Sequence, residues 1–167
     1  MSKLFNLQNK NVLLTGASKG MGLAMAKGLV SHGANVVISS RKLDQCEKAT
    51  DVINESVGQE KAFAFACNAS SKDELNALVD FSMSKLGSIT TLVCNAGVNS
   101  FFGSMSEIDD ESYDKTMDTN VKSNHWLINM VTPSMKESGG GSIMITSSIA
   151  AFHASETLGT YSISKLA

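Results

Sequence analysis

The stretch Thr15-Gly16-Ala17-Ser18-Lys19-Gly20-Met21-Gly22 lies between an apolar run, Val12 to Leu14, and an alanine-rich helical pattern that opens just after it. The run reads as a short buried strand. Glycines at 16, 20 and 22 let the backbone between strand and helix turn sharply and come close to a ligand. The first helical N–H groups, and the positive end of the helix dipole, then face the space above the turn, which suits a phosphate. A second apolar run, Val36-Val37-Ile38, follows at the distance a βαβ unit requires.

The chain keeps this alternation. A helical pattern from Gly20 to about His32 ends at Gly33, and a strand from about Asn35 to Ser40 gives way to a polar helix that closes at Val57-Gly58. Lys61 to Cys67 is a third apolar run. A helix from near Ser71 to Leu86 follows, with Asp73 and Glu74 in its first turn as the dipole prefers. Thr90 to Cys94 is the fourth strand. A long helix is expected from about Asp110 to Glu137, broken or bent near Pro133. Ser142 to Thr146 is the fifth strand, and a last helix starts around Thr160. The expected fold is α/β: a doubly wound parallel sheet, Rossmann-like, in a single domain covering residues 1–167.

In such a sheet the chemistry sits at the carboxyl ends of the strands. The polar clusters fall there: Ser39-Ser40-Arg41, Asn68, Asn95-Ala96-Gly97 and Ser147-Ser148.

Bulk properties exclude several classes. A composition 43% hydrophobic and 18% charged is that of a globular chain, not a disordered one. The net charge of −2 offers nothing to nucleic acid or an anionic membrane, and neither is expected as a partner. Cys46, Cys67 and Cys94 form no C-x-x-C pair, which argues against a disulfide framework or a zinc knuckle. The start, MSKLFNLQNKN, has no signal-peptide core, so the cytoplasm or another reducing compartment is expected. His32, His125 and His153 are too scattered for a metal site, and none is expected. Met105, Met117, Met130, Met135 and Met144 read as filler for a core or a subunit contact.

Tyr161 and Lys165, four residues apart on the last helix, share a face. A lysine cation near a phenol favours the phenolate, which makes a usable proton donor and acceptor. Ser148, upstream at a strand end, can point into the same crevice. Taken singly, each of these residues has a plain structural explanation, such as a capping hydroxyl or a solvated helix face.

Together, TGASKGMG (15–22), CNAG (94–97), Asn120, ITSS (145–148) and YSISK (161–165) make the chain resemble the single-domain, unextended branch of the short-chain dehydrogenase/reductase family. The extended branch would place a glycine at position 19, where Lys19 stands. The resemblance implies catalysis by Asn120, Ser148, Tyr161 and Lys165. It implies a nucleotide cofactor held by Gly16, Ser18, Lys19, Gly20, Met21 and Gly22, by Ser40, Arg41 and Asn68, by Asn95, Ala96 and Gly97, and by Tyr161 and Lys165. The family often has an aspartate, contacting adenine, where Asn68 stands; an amide both donates and accepts, so the resemblance implies that the contact survives.

Ser40 carries no charge to repel a phosphate, Arg41 follows it, and Lys19 can approach from the glycine turn, so NADP(H) is expected over NAD(H). The activity the resemblance implies is NADP(H)-dependent interconversion of a ketone and a secondary alcohol, with hydride moving to or from the nicotinamide ring. A catalytically silent nucleotide-binding fragment is the alternative. Family members continue past the Y-x-x-x-K helix, so the chain reads as truncated inside it, with substrate-covering segments missing. Val121, Trp126, Leu127 and Met130 on the long helix suggest a homo-oligomer at full length.

Overall fold

A computed structural model describes residues 5–153 and 155–167. Five strands form one parallel sheet: β1 (Asn11–Thr15), β2 (Asn35–Ser40), β3 (Ala62–Ala66), β4 (Thr91–Cys94) and β5 (Ser142–Ile145), in the order β3-β2-β1-β4-β5. The order reverses between β1 and β4. That opens a crevice at their carboxyl ends, beyond Thr15 and Cys94.

Side-chain alternation along the central strands builds two cores. Val12, Leu14, Val36, Ile38 and Val93 face one way, onto α1 (Gly20–Ser31) and α2 (Leu43–Val57), which contribute Ala26, Val30, Cys46 and Ile53. Leu13, Val37, Leu92 and Cys94 face the other way, onto α3 (Lys72–Leu86) and a later helix that supply Leu75, Leu78, Leu127 and Val131. Strands apolar on both faces require helices on both sides.

The strand-end segments are registered by bonds that continue the ladder. Ala17 N donates to Ser39 O (3.0 Å), Cys67 N to Ser40 O (2.8 Å) and Thr146 N to Cys94 O (2.9 Å). The polar clusters therefore end at one edge of the sheet, in the phase expected.

The long helix differs from its expectation. It is α4 (Asp110–Met117), a π-helical turn (Asp118–Lys122) and α5 (Ser123–Glu137), with Asn120 in the middle of the irregular turn. The helix runs through Pro133 unbroken. Pro133 and Asn129 are both exposed, so solvent can satisfy the carbonyl that loses its proline partner. The apolar residues of α5 are also partly used within the fold: Leu127 is fully buried, and Trp126 and Met130 pack against the second core. Among the methionines, Met135 is buried, whereas Met105 and Met144 are exposed. The last helix, α6, spans Gly159–Leu166. All of β5 is exposed at the sheet edge, with Ile143, Met144 and Ile145 each 40–53% accessible.

Two glycines of α1 give a paired prediction. A Cβ on Gly22 would press against Gly16 O and lie 2.7 Å from Ala17 Cα, whereas one on Gly28 meets nothing within 4 Å. Gly22→Ala is expected to destabilise the chain by about 2 kcal/mol or more. Gly28→Ala should stabilise it by about 0.5–1 kcal/mol. Urea denaturation of both variants checks the sign of each.

Candidate active site

The crevice is a cavity of about 470 Å³ floored by the ends of β1 and β4. Its architecture rests on Asn95. The side-chain amide donates to Thr15 O (3.1 Å) and Gly16 O (2.9 Å), and its carbonyl accepts from Thr146 Oγ1 (3.3 Å). Thr15 Oγ1 returns the contact by accepting from the N–H groups of Asn95 and Ala96, both at 3.1 Å. Gly16 sits at φ +65°, and a Cβ there would be 2.8 Å from Ala96 Cα. Only glycine permits both that conformation and that approach.

Gly16, Ser18 and Lys19 line the cavity, as do Ser40, Arg41, Asn68, Asn95, Ala96 and Gly97. Gly20, Met21 and Gly22 lie outside its wall, and Met21 is largely exposed. Their place is in the first turn of α1. That helix end carries no side-chain cap and no acidic residue in its first turn, whereas Ser71 and Asp109 cap α3 and α4. A Cβ on Gly20 (φ +57°) would meet nothing within 4 Å. Uncapped N–H groups over open space fit a phosphate.

The wall carries three cations, Lys19, Arg41 and Lys115, against one acid, Glu111. The balance suits a polyanionic ligand. Cys67 also lines the cavity, but burial pushes its thiol up to about 12, so it stays protonated. Ser40 Oγ lies 3.1 Å from Cys46 Sγ, which holds its hydroxyl at the start of α2.

The residues at the far end of the crevice come together around α6. Lys165 Nζ donates to Thr146 O (2.9 Å) and lies 5.9 Å from the centroid of the Tyr161 ring. Ser147 Oγ donates to Lys165 O (2.7 Å), so the segment after β5 grips that residue at both ends. A Cβ on Gly97 would lie 3.0 Å from Lys165 Nζ, and its absence lets the ammonium pass beneath the CNAG turn. Desolvation pulls the Lys165 pKa below its ordinary value.

Asn120 spends its side chain on structure. Oδ1 accepts from Val98 N (2.8 Å), while Nδ2 donates to Val98 O (2.8 Å) and Ser164 Oγ (2.9 Å). It thereby ties the CNAG turn to α6. Its backbone carbonyl accepts from Asn124 Nδ2 (2.7 Å). Ser148 Oγ accepts from Ala150 N (3.2 Å), which leaves the hydroxyl proton free to donate elsewhere.

Sequence reading missed one wall of the cavity. Glu111, Lys115 and Thr119 are spaced by four residues, so they form one stripe on α4 and the turn after it. The E-x-x-x-K-x-x-x-T spacing immediately before Asn120 was the available signal.

A family model for short chain dehydrogenase matches residues 10–167. The chain belongs to the short-chain dehydrogenase family. It is 38% identical over 168 residues to human dehydrogenase/reductase SDR family member 4, covering all of this chain and 59% of that protein. The rabbit protein of the same name is 38% identical over 161 residues, with 96% of this chain and 61% of the relative covered. The chain thus spans about three-fifths of the length of these relatives. Among solved structures, a 7α-hydroxysteroid dehydrogenase complexed with NADH and 7-oxo glycochenodeoxycholic acid superposes with a TM-score of 0.91 at 34% identity, covering 97% of this chain and 62% of that one. A metagenomic short-chain oxidoreductase in complex with NADP superposes at 0.89 with 30% identity, over 95% and 71% of the two chains. The chain is therefore of an oxidoreductase family whose neighbours hold NAD(H) or NADP(H). Among the described residues, no helix is long and apolar enough to cross a membrane.

The depressed pKa of Lys165 gives a signed prediction. Between its folded value and about 10.5 the unfolded chain binds the extra proton, so the lysine's contribution to stability rises with pH across that window. Lys165→Met removes the titration. The stability of the wild type relative to this variant is expected to increase from pH 8 to pH 10, read by urea denaturation at the two values.

Proposed function

We propose that this short-chain dehydrogenase is an NADP(H)-dependent oxidoreductase that interconverts a ketone and a secondary alcohol. The observation carrying the reading is Lys165 Nζ, bracketed between the Gly97 turn of the cavity and the Tyr161 ring. That position lets one cation act on both a bound ribose and a phenol. The dinucleotide supplies the hydride when bound. Tyr161 gives or takes the proton of the substrate oxygen, with the Lys165 ammonium 5.9 Å from the centroid of its ring. Ser148, whose oxygen accepts from Ala150 N and whose hydroxyl hydrogen is uncommitted, donates it to the same oxygen. Asn120 keeps the CNAG turn and α6 in register, so that these groups converge. The hydroxysteroid dehydrogenase neighbour, which holds an oxo compound with NADH, agrees with this chemical class.

Choice of nucleotide rests on this chain's own residues, because its neighbours hold both kinds. Ser40 ends β2 without a charge, and Arg41 and Lys19 share the cavity wall with it. A guanidinium and an ammonium beside a phosphate make charge-assisted hydrogen bonds, and the guanidinium can do so bidentately.

One observation favours a second reading, a nucleotide-binding unit without turnover. Phe102, which follows the CNAG turn, and Ile149 and Phe152, which follow Ser148, are each 73–76% exposed. Incubating the purified chain with NADPH and a panel of ketones separates the two.

Ser40→Asp combined with Arg41→Ala is expected to shift the NADPH-to-NADH ratio of affinities at least tenfold toward NADH, or about 1.4 kcal/mol. A wild type that prefers NADH, or a ratio unmoved by the double change, overturns the assignment. Where turnover is present, Tyr161→Phe should abolish it and leave nucleotide affinity nearly unchanged, because only the proton is removed. Near-normal activity in that variant would assign the proton to another group.

A further inference from the structure

β5 is the last strand of the sheet, and its outer edge has no strand beside it among the described residues. Ser142 N donates to Thr90 O and Thr146 N to Cys94 O, so residues of that phase turn their backbone groups to β4. By strand alternation Ile143 and Ile145 turn their N–H and C=O groups the other way, to the open edge.

Proteins commonly blunt such an edge with charge, proline or a bulge. This one has none of them. No Asp, Glu, Lys, Arg or Pro stands between Ser138 and Ser155 in the sequence, and β5 pairs with β4 residue for residue from Ser142 to Ile145. The side chains are uncovered on both faces of the sheet, Met144 being 49% and Ile145 53% exposed. Each borders a cavity. Met144 shares one of about 410 Å³ with Phe5, Met25 and Leu29, on the α1 face. Ile145 shares one of about 240 Å³ with Val121 and Ile128, on the α5 face.

We infer that this edge is an interface for a second copy of the chain, the two β5 strands pairing antiparallel about a two-fold axis that passes beside Met144. The free backbone groups set the register. Ile143 of each copy lies opposite Ile145 of the other, each such pair exchanging both N–H···O bonds, and Met144 faces its own counterpart in the non-bonded pair between them. Alternation then gathers the methionines on the α1 face and the isoleucines on the α5 face, beside the two cavities. A two-fold axis sets a patch against itself, so any charge on it would meet its like. An uncharged edge is what such a contact requires, and the cavity beside Met144 has no Asp, Glu, Lys or Arg in its lining. Each copy spends its one free β5 edge, so the pairing closes at two chains. This surface is separate from the α5 residues that suggested an oligomer in sequence, of which Leu127 is spent in the core.

The test is analytical ultracentrifugation of the 167-residue chain at micromolar concentration, where twice the mass of one chain is expected. Met144→Lys and Met144→Glu each set like charges together on the axis, and each should weaken association at least about tenfold. An equimolar mixture of the two variants opposes lysine with glutamate and should restore the dimer. Only an interface in which position 144 meets itself gives that result. Met144 is half-exposed, so the far-ultraviolet circular dichroism of each variant should match the wild type. A monomeric wild type, or an assembly heavier than a dimer, overturns the inference. So does a dimer that both substitutions leave intact, or a mixture that stays monomeric.

Discussion

The side chain of Asn95 is the constraint on which the site depends. One amide reaches the carbonyls of Thr15 and Gly16 and takes the hydroxyl of Thr146, so it joins the ends of β1, β4 and β5. β1 and β4 are paired neighbours at the switch in sheet order, and beyond their paired residues the two chains diverge, where the side chain takes over from the ladder. Thr15 completes the clasp by accepting two backbone N–H groups from the opposite turn. Replacing either partner alone would leave buried polar atoms of the other unpaired, which costs more than the bond itself contributes.

A second clasp extends the order to α6. Asn120 sits in a π-helical turn and binds both Val98 and Ser164, while Thr146 and Ser147 hold the two ends of Lys165. The π turn has a local reason to persist. Ser123 Oγ donates to Thr119 O (2.6 Å) and Asn124 Nδ2 to Asn120 O, so carbonyls released by the irregular winding find side-chain donors. The buried side chains of Asn120, Ser123, Asn124 and Ser164 each have a partner in this network, which is correspondingly specific about geometry.

Much of the fold was legible because the patterns were strong. Val12 to Leu14 and Val36 to Ile38 are short runs apolar on both faces, bounded by glycine or polar residues, and they fix a doubly covered parallel sheet. The phase of the polar strand ends was legible for the same reason. The winding of the long helix was not. Proline is the strongest breaker in that sequence, yet Pro133 points outward and is tolerated, while the irregular turn at Asp118–Lys122 arises from tertiary bonds of Asn120 that no local pattern encodes. The orientation of the Asn68 amide was not legible: it carries an acceptor at one end and a donor at the other, and the bonds from Ser70 N and Oγ fix which end is Oδ1. The stripe Glu111–Lys115–Thr119 has the pattern of a solvated helix face, and its place in the cavity wall depends on where α4 docks.

The division of the core by the sheet has a consequence for how the sequence can vary. The two clusters meet only through the backbone of the shared strands, since successive residues such as Leu13 and Leu14 belong to opposite clusters. Side chains on the α1–α2 face, Ile53 among them, have no packing neighbour in common with Leu78 or Val131 on the α3–α5 face. Volume changes on the two sides should therefore combine additively, each face repacking without reference to the other. Lineages can explore the helices of one layer while the other stays fixed, and the strand ends between them remain where the crevice needs them.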